Sequence, residues 1–240
     1  MWIRIKHWSI RVAMLSMVAT SAVATPEPGV SVDVAVHRLQ QEWEEVLYTL
    51  PDEQHASRFQ DLLARIGQLE GQNPALASPK ALKAMVLCTY AGTRVGLGAL
   101  DMVQTARELL QAAISIDPGV LNGSAYITLG NLYQRLPGWP VSFGDDALAR
   151  QYFEAALKLF PDALDTHYFY GNFLLGQGDY EQARVHLLKA DSIALTDEAS
   201  VADRQLKRQI KDALQAAETR HPLKDDFFSR LLPDWGLSAK

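Results

Sequence analysis

Tyr126-Ile127-Thr128-Leu129-Gly130-Asn131-Leu132-Tyr133 places an aromatic residue, a leucine, a glycine and a second aromatic at helical spacing. His167, Tyr170, Gly171 and Leu174 repeat the arrangement. A second pattern follows each of these runs: Ala149, Phe153, Ala156 and Pro161 after the first, and Ala183, Leu187 and Ala190 after the second. A glycine on one helix facing alanines on the next lets two backbones approach closely. Phe153 and Leu187 would fill the space beside the contact, and Pro161 would end a helix. Gly178-Asp179 reads as the turn between paired helices. A hairpin of this kind leaves an apolar face open, and a stacked copy closes it.

The pattern extends upstream. Ala106, Leu110, Ala113 and Pro118 have the internal spacing of Ala149, Phe153, Ala156 and Pro161, and Pro74, Pro118 and Pro161 are separated by 44 and 43 residues. Leu62, Ile66 and Leu69 fit the same second-helix template. Earlier still, Val36, Leu39, Trp43, Val46 and Leu47 mark a helix over Val34 to Tyr48. Phe59 to Leu69 mark a second, and Ser78-Pro79 reads as the cap and first turn of a third. A final helix, capped at Thr196 and running to Arg220, has Val201, Leu206, Ile210, Leu214 and Ala217 on one face. The reading is all-α: about four hairpins and a C-terminal capping helix over residues 25–220, with no strand pattern. Residues 221–240 form a tail whose Phe227, Phe228, Leu231, Leu232 and Trp235 make a stripe cut by Pro233.

These motifs resemble the tetratricopeptide (TPR) repeat, which implies a right-handed solenoid with a concave binding face. The longer runs, Gly123 to Gly144 and Asp165 to Gly171, look like a bacterial envelope group of TPR proteins. Some members of that group accompany TRAP-type transporters. In such a stack the residue after the small glycine faces the groove, which singles out Asn131 and Asn172. Tyr168 and Ile127 lie one turn earlier, Gln134 and Leu175 one turn later, and Asp165 and Ser124 near the helix starts. An amide both donates and accepts, so it suits a peptide backbone. The basic residues that clamp a terminal carboxylate in peptide-binding members have no counterpart at these positions. The resemblance implies a protein or peptide partner, for instance a solute-binding protein.

The connection between Tyr133 and Ala149 is seven residues longer than its counterpart between Leu174 and Ala183. It carries Trp139 and Phe143 among two prolines and two glycines, with Asp145 or Asp146 placed to cap the next helix. The two rings either fold back to plug a gap between hairpins or present a recognition surface. A second functional reading follows from the same residues: Tyr126, Tyr133, Trp139 and Phe143 could enclose a small apolar ligand.

Residues 1–24 read as a secretory signal peptide. Arg4, Lys6 and Arg11 precede the apolar run Val12 to Ala24, which ends in Ala22-Val23-Ala24. Its removal takes the net charge from −5 to −8, which speaks against nucleic acid as a partner and against stable membrane insertion. The expected location is the periplasm of the cell envelope. Cys88 is the single cysteine and sits at helical spacing with Ala84, Met85 and Ala91, as a small core residue does. His37, His55, His167, His186 and His221 are scattered, and no nucleophile–base pair, phosphate loop or zinc spacing stands out. The expectation is a non-enzyme without cofactor or metal. Asp145, Asp146, Asp165 and His167 flank one junction, and the aspartates there read as helix caps. Mass spectrometry of the exported protein is expected to find Thr25 at its N-terminus; an intact Met1 N-terminus in membranes would overturn the signal reading.

Overall fold

The computed structural model describes residues 31–94, 97–197 and 199–221. The signal segment and nearly all of the tail lie outside them. Among the described residues there are nine α-helices and no strand. These are α1 (Val32–Thr49), α2 (Asp52–Gln72), α3 (Ala77–Gly92), α4 (Leu97–Ile116), α5 (Ser124–Arg135), α6 (Asp146–Leu159), α7 (Leu164–Gly176), α8 (Tyr180–Ser192) and α9 (Val201–Thr219). Consecutive helices pair as α1/α2, α3/α4, α5/α6 and α7/α8, with α9 laid against α7 and α8. The molecule is an all-α, TPR-like helix-hairpin solenoid with a terminal capping helix. None of the described helices is long and apolar enough to cross a membrane.

Local chemistry explains most of the boundaries. Ser31 caps α1, its hydroxyl accepting from Val34 N at 3.3 Å. Asp145 caps α6, accepting from Ala147 N at 2.8 Å and Leu148 N at 3.0 Å. Asp179 caps α8 after Gly178, whose φ is +77°. Two expected starts are corrected. Helix α3 begins at Ala77, so Ser78 lies inside the first turn, where Pro79 forfeits no helical hydrogen bond. Helix α9 begins at Val201, not after Thr196. Ser200 and Asp203 form a reciprocal capping box there, which satisfies the orphan backbone donors at that point.

The hairpins are set by contacts across their small residues. A Cβ added at Gly130 would lie 2.8 Å from two ring carbons of Phe153, and one at Gly171 would lie 2.9 Å from Leu187 Cγ. The ring and the leucine therefore occupy space that any larger residue would need, as the repeat pattern leads one to expect. Phe153 and Leu187 are themselves fully buried. Helix α3 serves two cores at once. Leu82, Val86 and Tyr90 pack with α1 and α2, while Ala81, Ala84, Cys88 and Ala91 pack towards the later helices. Glu70 on α2 adds a clamp, reaching Lys80 Nζ at 3.2 Å and Lys83 Nζ at 2.6 Å on α3. Helix α7 is buried on nearly every side from Leu164 to Leu175, as a helix must be when neighbours stand all round it.

The first and last helices also touch. Ala202 N, in the first turn of α9, donates to Glu44 Oε2 of α1 at 3.3 Å. Substituting Gly130→Ala is expected to cost about 1–3 kcal/mol through overpacking, read by urea unfolding. Adding Phe153→Leu to the same chain should recover part of that loss, because it makes room for the new methyl group. No recovery would show that the Gly130–Phe153 contact does not set the hairpin.

Candidate functional site

The first helices of the four hairpins, together with α9, surround a cavity of about 390 Å³. That size falls within the range of small-molecule sites. Helix α1 contributes Val36, Gln40, Trp43 and Glu44. Cys88 and Thr89 come from α3, Ile127 and Thr128 from α5, Asp165 and Phe169 from α7, and Asp203 and Leu206 from α9. Leu121 and Asn122 border it from the 3₁₀ turn before α5, both in the left-handed region with φ of 47° and 54°. The Trp43 ring is held in place by its Nε1, which donates to Thr89 Oγ1 at 3.0 Å.

The lining is acidic. Asp33, Glu44, Asp165 and Asp203 face it, no lysine or arginine among the described residues does, and His37 is the one basic side chain in the wall they form. Glu44 is only 4% exposed. Burial pushes its carboxyl above the usual range, and the nearby Asp203 charge adds to the rise; the Ala202 N–H, the Ser200 hydroxyl and the Gln40 amide pull the other way. Burial pushes Asp165 up to about 6, again with help from Asp203 and against the Thr166 N–H, which donates to Oδ1 at 2.8 Å. Burial also pushes the Cys88 thiol up to about 12, so at neutral pH it stays a protonated, inert thiol.

The seven residues singled out from the sequence are not gathered into one open groove. Asp165 alone lines the cavity. Asn131 is 2% exposed, and its Nδ2 donates to Ile127 O within its own helix at 2.8 Å. Asn172 is buried as well. Tyr168 is fully buried, and its hydroxyl donates to Gln209 Oε1 on α9 at 3.0 Å. Gln134 is half-buried and points its amide past Gly176 at the end of α7. The cavity wall on α1 was not anticipated. The signal for it was an acid in an apolar stripe: Val36, Gln40 and Glu44 are four apart and share one helix face.

The long connection between α5 and α6 separates its two rings. Phe143 folds back. It meets Tyr133 edge-on at 5.3 Å, and Arg107 stacks over it at 4.3 Å. Tyr133 in turn stacks on Tyr152 at 5.4 Å, and Tyr126 tilts against Tyr152 at 6.4 Å. These rings contact one another, and Trp139, 90% exposed, takes no part. The loop backbone is tightly closed. Gly144 N donates to Pro137 O at 2.9 Å and Asp145 N to Tyr133 O at 2.8 Å. A Cβ at Gly144 would lie 1.8 Å from Leu136 O, so only glycine fits there.

The structure joins two histidines that are scattered along the sequence. His167 Nε2 donates to Pro161 O at 2.8 Å, and its Nδ1 meets His186 Nδ1 at 3.0 Å. A carbonyl only accepts, so neutral His167 carries its proton on Nε2 and receives the His186 proton at Nδ1. Burial, with His167 alongside, holds His186 below the ordinary imidazole value. The pair occupies the same repeat positions as Tyr126 and Tyr152, and the register of Phe153 with Leu187 could have revealed it. Asp145, Asp165 and His167 do not converge. Among the described residues no three acidic, histidine or cysteine side chains are placed to hold a metal ion.

Residues 143–210 match the tetratricopeptide repeat, so α6 to α9 carry that repeat in sequence as well as in shape. Such repeats are a non-catalytic scaffold for protein–protein interaction. Comparison with curated proteins and with solved structures gave no match.

Asp165 makes the cavity's charge measurable through stability. Its folded carboxyl keeps a proton up to about pH 6, whereas in the unfolded chain it loses it near 3.8. Between those values the folded state binds more protons, so this group's contribution falls as pH rises. Asp165→Asn should therefore melt higher than the parent above pH 6, with the advantage gone below about pH 4. Thermal melts across that interval would refute the assignment if the two curves stayed parallel.

Proposed function

We propose that this protein is a non-enzymatic adaptor of the bacterial cell envelope that binds a protein or peptide partner through the concave side of its solenoid. The observation that carries the reading is the cavity on that side, built by α1, α3, α5, α7 and α9. The tetratricopeptide match supports an interaction module, and the basic, apolar N-terminal segment supports export. A solute-binding protein of a transporter is the specific partner to which the envelope resemblance leads. In this reading Asp165 contacts the partner, while Asn131, Tyr168 and Asn172 hold the wall behind it. Trp139, standing clear of the fold, supplies a second contact at one end.

The alternative, a small apolar ligand among Tyr126, Tyr133, Trp139 and Phe143, draws less support. Three of those rings sit in a packed cluster with Tyr152 and Arg107, and the fourth is in solvent.

The test is affinity capture from envelope extract with the wild-type chain, Ser124→Phe, which fills the cavity from the first turn of α5, and Trp139→Ser. A partner identified by mass spectrometry, retained by the wild type and lost with Ser124→Phe, is the expected outcome. Weaker retention by Trp139→Ser would add the loop to the site. Full retention by Ser124→Phe, or no partner for the wild type, would overturn the reading.

A further inference from the structure

Among the described residues, the cavity wall holds four carboxylates and no ammonium or guanidinium group, so it is short of positive charge. Asp33 and Glu44 come from α1, Asp165 from α7 and Asp203 from α9; α5 adds only the hydroxyls of Ser124 and Thr128, and α3 adds Ser78, Thr89 and a neutral thiol. Arg135, on α5 beside Tyr168, is not part of the lining. Glu44 meets only neutral donors among the described residues, Ala202 N at 3.3 Å and Gln40 Nε2 at 3.5 Å included. Asp165 Oδ1 meets the backbone N–H and hydroxyl of Thr166, neutral donors again. A buried carboxylate without a counter-charge costs stability, and here two such groups share one cavity.

The form of the missing charge follows from the geometry. No three of the described acids converge closely enough to ligate a metal ion, and the space is much larger than an ion needs. The wall also carries an aromatic and aliphatic side: Trp43, Phe169, Val36 and Leu206. A site with anions at one part and a ring and methyl groups at another fits a cation on a hydrocarbon stem.

We propose that this cavity receives an alkylammonium group, with Glu44 and Asp165 as counter-charges and Trp43 and Phe169 as the wall for its stem. The inference rests on the concave-face reading and deepens it by naming what enters the cavity. The same group is offered by a free diamine and by a lysine side chain on a partner protein, and the test separates the two sources.

Isothermal titration of the full chain would use cadaverine and a blocked tripeptide with lysine at its centre. Its controls would be pentanol, the matching norleucine tripeptide and calcium chloride. Binding of either amine, with no response to pentanol, the norleucine peptide or calcium, is the expected result. Cadaverine alone would point to a free amine, and the lysine peptide to a partner's side chain. Glu44→Gln and Asp165→Asn should each weaken binding about tenfold or more, while their melting temperatures stay at or above the parent's near neutral pH. The proposal is overturned if neither amine binds, if a neutral or calcium control binds equally well, or if both variants bind like the parent. If amine binding fails while Ser124→Phe still loses a captured protein, the adaptor reading survives and this inference does not. If amines bind and no protein is captured, the reverse holds.

Discussion

Everything in this fold depends on how closely two helices of a hairpin can approach. At Gly130 the answer is set by the Phe153 ring, and at Gly171 by Leu187 and the Ala183 carbonyl. That approach fixes the angle between paired helices, which in turn fixes where the next pair must lie to cover the apolar face left open. Repeated through four hairpins, it turns the first helix of each pair to one side. The cavity is the space those helices leave when α9 is laid across the end of the stack. Its chemistry therefore comes from residues far apart in the chain, held in register by packing that has nothing to do with ligands.

The repeat chemistry was legible because it is periodic. Glycine, alanine and aromatic residues at this fixed spacing suit a stacked helix hairpin and little else, and the hairpins, the Asp145 cap and the capping helix follow from them. What stayed hidden was what periodicity does not encode. Asn131 and Asn172 hold the expected places after the small glycines, yet their side chains are buried. A repeat template says which face a residue is on, not how much protein lies over that face. Trp139 and Phe143 are four residues apart in one loop, and only the closed backbone around Gly144 decides that one ring packs and the other does not. Glu44 was the least visible of all, because its neighbours Ser200, Ala202 and Asp203 stand at the other end of the chain.

The buried polar groups divide into two kinds. His167 and His186 satisfy each other and the Pro161 carbonyl, and the pair substitutes for the aromatic contact of the preceding hairpin. Those are packing residues with polar edges. Glu44 and Asp165 are different: their hydrogen bonds are made, but no described cation answers their charge. Nothing in solenoid construction needs an acid at either place, and an amide of the same shape would accept the same hydrogen bonds. Two acids kept where neutral residues would serve are the sign of a purpose beyond folding.

The contact between Ala202 and Glu44 changes the kind of object this chain is. An open array of repeats behaves as a row in which each unit knows only its neighbours, so its ends fray independently and a defect stays local. Joining the last unit to the first turns the row into a loop. In a loop there is no terminal unit to peel away first, and strain introduced at any hairpin is shared by the whole circumference. A partner that pried α1 from α9 would not open a local flap; it would convert the molecule from a closed ring of helices into a spring.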